Sequence, residues 1–340
     1  MPRPARTGAA VVTTSTEARC SSGPPAVATR PLLEEAMELA RRLDAGLSSV
    51  LLGTPEAVRV AVVAALSGSH LLIEDVPGVG KTVLARALAT SLGVPLSRIQ
   101  GHPDLLPSDV TGVTVFSPDT ATWEFRPGPV FGQVVLLDEL NRTPPRTQSA
   151  LLEAMEEQQV TVDGESWPLP RPHLVVGTQN PLGQLGSYPL VESQLDRFGL
   201  STTIGYPDAG TETMLALQTG GRHALEVLEP VCDAAGWARA IEATAEVTVA
   251  EPVAEYAVAV VRATRRVGTV RLGASPRAAI STVRAAQARA LLEGRPYATP
   301  ADVRAVAVPS LAHRLLADAG DATGTELVER VLEETPVPLP

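Results

Sequence analysis

HLLIEDVPGVGKT (70–82) decides the fold: a short apolar run, a turn with two glycines, then a lysine and a threonine at the head of a second periodic segment. HLLIED (70–75) reads as a strand and Thr82 to Leu92 as a helix, so the glycines lie where a strand hands over to a helix. That is the setting of a phosphate-binding loop. Gly78 and Gly80 let the backbone curl until its N–H groups face phosphate oxygens, and the helix N-terminus adds a favourable partial charge. On this reading Pro77, Gly78, Val79, Gly80, Lys81, Thr82 and Val83 hold a nucleotide, with Lys81 on the β and γ phosphates and Thr82 on Mg²⁺. Asp75 stands where the G-x-x-x-x-G-K-[ST] pattern has its first glycine, at the strand end and not against the phosphates. The plain alternative is a glycine turn with no ligand. Lys81 is also the single lysine of the chain, all 27 other basic residues being arginine, and Asn141 and Asn180 are its only asparagines. A genomic bias towards arginine accounts for the scarcity, but not for the survivors falling inside motifs.

Outward from this loop, apolar runs at 96–100, VVLLDE (134–139), HLVVGTQ (173–179) and LSTTIGY (200–206) alternate with helical patterns at Thr82 to Leu92 and Pro145 to Gln158. Runs apolar on both faces, separated by helices, predict an α/β fold with a five-stranded parallel sheet covered on both sides. Two helices, Leu32 to Val50 and Glu56 to Leu66, lead into it. Beyond Tyr206-Pro207-Asp208 the pattern is helical, with Thr299-Pro300-Ala301-Asp302 supplying an N-cap, a first-turn proline and an acidic partner. The expected organisation is a disordered tail over 1–30, an α/β core over 31–207 and a helical domain over 208–340. Two segments interrupt the core. Residues 114–131 have hairpin-like content, and 159–170 carry an Asp163-Gly164 turn signal, so both are expected to project.

VVLLDE ends in adjacent carboxylates. Asp138 can orient Mg²⁺ through its water shell and Glu139 can polarise an attacking water as general base, although a strand end often carries acids for solvation alone. Asn180, after the next strand, can bond that water or the γ-phosphate, or be an Asn-Pro turn residue. Arg197 in QLDRF can act as a finger on a neighbouring subunit's nucleotide, or pair locally with Asp196 or Asp208. In GASPR (273–277) Ser275 is an N-cap and Pro276 the first helical residue. This sets Arg277 in a first turn, where the helix dipole disfavours a cation by about 0.3–1 kcal/mol. A phosphate partner reverses that sign; solvent exposure is the alternative.

Composition excludes other classes. At 340 residues the chain has room for about two domains. No apolar run approaches the roughly 18 residues of a membrane span, and no apolar signal segment precedes the core, so a cytoplasmic protein is expected. A net charge of −10 and 3% aromatic residues offer little to nucleic acid. Two cysteines, Cys20 and Cys232, make neither a disulfide scaffold nor a zinc set. The five histidines lack ligand spacing, and no G-x-S-x-G elbow occurs.

Over residues 32–330 the chain resembles the MoxR family of AAA+ ATPases. The resemblance rests on IEDVPGVGKT (73–82), RIQGHPDLLPSDVTG (98–112), FRPGPVFGQVVLLDELNRTPPRTQSALLEAMEEQQVTVDG (125–164), GTQNP, QLDRFGL and GASPRAA. It implies an AAA+ nucleotide-binding core with a helical lid, in a ring that is hexameric, hydrolysing ATP with Mg²⁺ to remodel partner proteins. Proteins with von Willebrand factor A domains are the partners it suggests. By position, Lys81 and Thr82 match Walker A, Asp138 and Glu139 Walker B, Asn180 sensor 1, Arg197 the finger and Arg277 sensor 2. Segments 114–131 and 159–170 match the helix-2 and pre-sensor-1 insertions. A chelatase-type or DNA-translocating motor is the rival implied by the same insertions.

Overall fold

The computed structural model describes residues 29–180, 187–217, 222–268, 270–317 and 322–338. The tail expected to be disordered lies outside the described residues except for Thr29 and Arg30, which open helix α1 (Thr29–Val50). There follow α2 (Pro55–Ser67), β1 (Leu71–Glu74), α3 (Lys81–Ser91), β2 (Leu96–Gln100) and α4 (Pro107–Thr111). A hairpin of β3 (Gly112–Ser117) and β4 (Thr122–Pro127) leads to β5 (Val134–Asp138) and α5 (Pro145–Glu157). A second hairpin, β6 (Gln159–Val162) and β7 (Glu165–Pro168), precedes β8 (Leu174–Gln179), α6 (Glu192–Leu195) and β9 (Leu200–Thr202). The C-terminal part holds α7 (Ala209–Leu217), α8 (Arg222–Glu226), α9 (Ala234–Ala245), α10 (Glu251–Ala263), β10 (Val270–Leu272), α11 (Pro276–Leu292), α12 (Pro300–Leu311), β11 (Leu316–Ala317) and α13 (Gly324–Glu334).

Five strands form one parallel sheet in the order β2-β5-β8-β1-β9. Leu71 to Ile73, Val134 to Leu137 and Leu174 to Thr178 are buried at every position, as strands covered on both faces require. From β1 the chain crosses by α3 to the far edge strand β2, so the glycine loop stands where the strand order reverses, the usual place for a ligand in an open α/β sheet. The last strand is shorter than the apolar run 200–206 suggests. Its continuation leaves the ladder because the Ile204 and Gly205 N–H groups donate to the Asp75 carboxylate, both at 2.7 Å.

The C-terminal part is helical apart from a two-stranded antiparallel ribbon of β10 and β11. The predicted Ser275 cap forms, its Oγ accepting from Ala278 N at 3.3 Å. At Thr299 only the acidic half of the expected box is made: Asp302 Oδ2 accepts from Thr299 N at 2.8 Å and from Thr299 Oγ1 at 2.7 Å, and Arg295 adds two bonds to Asp302 at 2.8 and 2.6 Å. Helices α9 and α11 pack on α1 and α2, so one apolar cluster runs from Leu33 through the sheet face to Leu332. Trp237, 1% exposed, fixes this seam by donating its indole N–H to Ala65 O at 2.9 Å.

The two interruptions are hairpins, and they project only at their tips. Val130, Val160 and Leu169 at their bases are buried in the second apolar cluster, whereas Phe116 and Trp123 near the first tip are exposed. No described helix is long and apolar enough to cross a membrane.

Candidate functional site

The carboxyl ends of β1, β5 and β8 meet at one edge of the sheet, and three of the predicted motifs end there. Gly78 (φ +91°) and Gly80 (φ +103°) both lie in the left-handed region, where a side chain strains the backbone. Open space surrounds the position a Cβ would take at Gly78, so the loop forms a cradle that glycine keeps clear. Gly80 caps α3 and Lys81 is its first residue, which aims the first N–H groups of that helix at the cradle. Lys81 Nζ bonds back to Asp75 O, and to Gln179 O at 3.4 Å, so its ammonium sits between β1 and β8. Burial pushes its pKa down, against the pull of Asp75, Asp138 and Glu139.

Asp75, the departure from the loop pattern, is a buried pin. Oδ1 accepts from Val76 N at 2.7 Å, while Oδ2 takes the two N–H groups beyond β9. One carboxylate thereby fixes the start of the loop to the last strand.

Asp138 ends β5. Thr178 Oγ1 on the neighbouring strand donates to Asp138 Oδ1 at 2.8 Å and accepts from Glu139 N at 2.9 Å; Arg98 donates to Asp138 Oδ2 at 2.7 Å. Glu139 follows the strand in a left-handed conformation, φ +55°, uncommon for a side chain of this size. Its carboxylate takes Arg142 at 2.8 Å and Gln100 at 3.3 Å. Asn180 follows β8 directly, and its carbonyl accepts from Asn141 Nδ2 at 3.1 Å, so the only two asparagines of the chain are bonded to each other. The loop, the acidic pair and Asn180 are thus gathered at one edge. A glycine-lined cradle, a half-buried ammonium and a strand-end carboxylate pair suit a nucleotide polyphosphate with a divalent cation.

Arg197 and Arg277 are elsewhere. Arg197 precedes β9, which runs parallel to β1, so it lies at the amino edge of the sheet beside His70, about 17 Å from Asp75 by strand rise. Arg277 joins it there. A single carboxylate holds both, Glu156 Oε2 to Arg197 at 2.9 Å and Oε1 to Arg277 at 2.8 Å. The expected local partners of Arg197, Asp196 and Asp208, are occupied otherwise. Asp208 accepts from Gly210 N, Thr211 N and Thr211 Oγ1, while Asp196 pairs with Arg314 at 2.9 Å and accepts from Ser275 Oγ. Glu156 also offsets the dipole penalty expected for Arg277. Arg314 is almost wholly buried behind the pair, and burial, reinforced by Arg277 and opposed by Asp196, brings its pKa down to about 10. These side chains line a cavity of about 160 Å³.

Sequence reading missed Glu156, Thr178 and Arg98. Each meets its partner across strands or from helix to loop, through a register that local pattern does not carry. Arg142 was findable, lying three residues past Glu139.

Residues 70–200 match the family model for the ATPase family associated with various cellular activities (AAA), and residues 262–334 match the AAA lid domain. The uncharacterised protein YeaC of Bacillus subtilis is 46% identical over 84% of this chain and 87% of its own. Chaperone MoxR1 of Mycobacterium tuberculosis is 36% identical over 85% of this chain and 80% of its own. A crystal structure from Cytophaga hutchinsonii superposes with a TM-score of 0.83 at 30% identity, covering 92% of this chain and 98% of that one.

Proposed function

We infer the working of the site from one premise: this chain belongs to the MoxR family of AAA+ ATPases and is an ATP-hydrolysing enzyme. Gly78, Gly80 and the first N–H groups of α3, within the stretch Pro77 to Val83, take the phosphates, and Lys81 neutralises the β and γ charge. Thr82 and Asp138 hold Mg²⁺, which when bound withdraws charge from the phosphate oxygens. Glu139, once freed from Arg142 and Gln100, takes the proton of the attacking water, and Asn180 orients that water.

Arg197 and Arg277 serve a second molecule. The observation that carries this reading is their place: both sit at the amino edge, a sheet's length from the glycine loop of their own chain, held side by side by Glu156. In a closed ring the amino edge of one subunit meets the carboxyl edge of the next, and the two guanidiniums complete the neighbour's site. The three-residue cluster keeps a net positive charge, which a γ-phosphate satisfies.

The ring is hexameric and cytoplasmic on this account. Hydrolysis drives chaperone-like remodelling of partner protein complexes, von Willebrand factor A domain proteins among them. MoxR1's name as a chaperone and its 36% identity support the remodelling role. Net charge weighs against the DNA-motor alternative. The test is sedimentation and client capture with Glu139→Gln and ATP. The variant is expected to form a closed ring that retains protein, and Lys81→Ala is expected to do neither. A Glu139→Gln ring that retains nucleic acid and no protein contradicts the remodelling role.

A further inference from the structure

The chain is poor in aromatic residues, yet two of its three tryptophans and two of its four phenylalanines stand on the paired hairpins β3–β4 and β6–β7. Strand alternation sorts them. Phe116 pairs with Trp123 and Thr114 with Phe125 across the first hairpin, so all four share a face, and Val162 and Glu165 pair on the second. Phe125 stacks on Trp167 with ring centroids 4.6 Å apart, which joins the hairpins face to face. The first hairpin is longer, six residues a strand against four, so its outer pair overhangs. Trp123 packs edge-on to Phe116 at 5.4 Å and is 69% exposed. Between the overhang and the second tip lies a cleft of about 440 Å³, walled by Trp123, Phe125 and Trp167 and closed by Asp163 and Glu165.

An exposed tryptophan above two carboxylates suits one chemistry. The ring face attracts a cation, the acids neutralise it, and the flat walls take the aliphatic stem of its side chain. The hairpin residues carry Asp119, Glu124, Asp163 and Glu165 against one arginine, Arg126, a net charge of −3 that repels phosphate and draws a basic chain. We propose that this cleft captures an extended, arginine- or lysine-bearing segment of the client protein, one cationic side chain entering between Trp123 and the Asp163/Glu165 pair. The occupant's identity as a client rests on the remodelling reading above. None of the residues lining the cleft is assigned to hydrolysis, so its binding is measurable without turnover.

The test is fluorescence anisotropy on the full chain without nucleotide. One probe is a labelled dodecapeptide of alternating arginine and serine; its counterpart alternates glutamate and serine. The basic peptide is expected to bind and the acidic one to show no binding. Trp123→Ala is expected to weaken the basic peptide about 10-fold or more, with Trp123→Phe recovering part of the affinity. The double variant Asp163→Asn/Glu165→Gln is expected to weaken it comparably and to flatten its salt dependence. Basal ATPase activity stays unchanged in all three. Equal binding by the wild type and Trp123→Ala overturns the site, as does equal binding of the two peptides or a single-stranded oligonucleotide competing at it. A rise in peptide affinity on deleting residues 1–28, whose Arg3, Arg6 and Arg19 could fill the cleft, would make the chain's own tail the occupant and overturn the client assignment. Failure to remodel a client while peptide binding behaves as stated removes the remodelling reading and leaves the cationic site standing.

Discussion

In the proposed mechanism Lys81 and Glu139 divide the reaction between binding and chemistry, and substitution separates the two. Lys81→Ala removes the only ammonium facing the β and γ phosphates, so nucleotide binding is expected to be lost. Glu139→Gln keeps the cradle and removes the base. It is expected to bind ATP normally and turn over about 10²- to 10⁴-fold more slowly, read by equilibrium binding beside phosphate release. Thr178 acts through both acidic residues, with one hydroxyl on Asp138 and on the backbone of Glu139 in its left-handed turn. Thr178→Val leaves the Glu139 N–H without its partner, a penalty of about 1–3 kcal/mol at a fully buried position. The expected outcome is a kcat at least about 10-fold lower with little change in ATP affinity, and recovery in Thr178→Ser; an unchanged kcat in the valine variant contradicts the role. That Lys81, Asp138 and Glu139 would meet at one sheet edge was legible because each stands at or just after the end of a local strand pattern. Thr178 was not, since what it does depends on β8 lying beside β5 in one register. Glu156 hides for the same reason, reading as an ordinary acid at the end of an amphipathic helix until α5 is seen to end beside the amino edge of β9.

Among the elements, the five parallel strands and both hairpins were readable from apolar runs and turn residues, but the length of β9 was not. LSTTIGY has the composition of a seven-residue strand, and three residues pair. The rest is diverted by Asp75, whose carboxylate competes with the ladder for the N–H groups of Ile204 and Gly205. Replacing that residue tests whether motif or environment governs the position. Asp75→Gly restores the first glycine of the common loop pattern, yet removes the acceptor of three backbone N–H groups at a site 8% exposed. Stability is expected to fall by about 2 kcal/mol or more, measured by urea denaturation, despite the better match to the pattern. The same logic explains why the hairpins were expected to project entirely and do so only at their tips: Val130, Val160 and Leu169 tie their bases into the core.

The whole molecule is held together by its buried seams, and three buried histidines, His70 and His173 within the α/β core and His313 between the C-terminal helices and the sheet, make its stability sensitive to acid. Burial pushes His70 down to about 4 and His313 to about 3, and lowers His173 as well. The His70 tautomer is fixed, because Val175 N–H donates to Nδ1 and leaves Nε2 to donate to Met155 O. His313 bonds Phe198 O at 2.9 Å, linking the turn after α12 to the start of β9. In the unfolded chain these groups take protons near pH 6.5, whereas in the folded protein His70 refuses one until about pH 4 and His313 until about pH 3, with His173 shifted in the same direction. Stability is therefore fully present above pH 6.5 and falls as pH drops through that window, by up to about 1.4 kcal/mol per pH unit for each of His70 and His313. Urea midpoints at pH 7.5 and pH 5 are expected to show it, and a flat profile contradicts the assignment. In the proposed ring one subunit's Arg197 and Arg277 complete the next subunit's site. Mixing tests it most directly. Arg197→Ala subunits keep an intact loop and acidic pair, and Lys81→Ala subunits keep an intact pair of arginines, so each alone is nearly inactive. Loss of an arginine finger can slow hydrolysis by roughly 10³-fold, so even partial rescue stands clear of either parent. The mixture is expected to regain ATP hydrolysis in proportion to the shared interfaces formed. A mixture no more active than its parents, or an Arg197→Ala protein that stays fully active alone, contradicts the shared site.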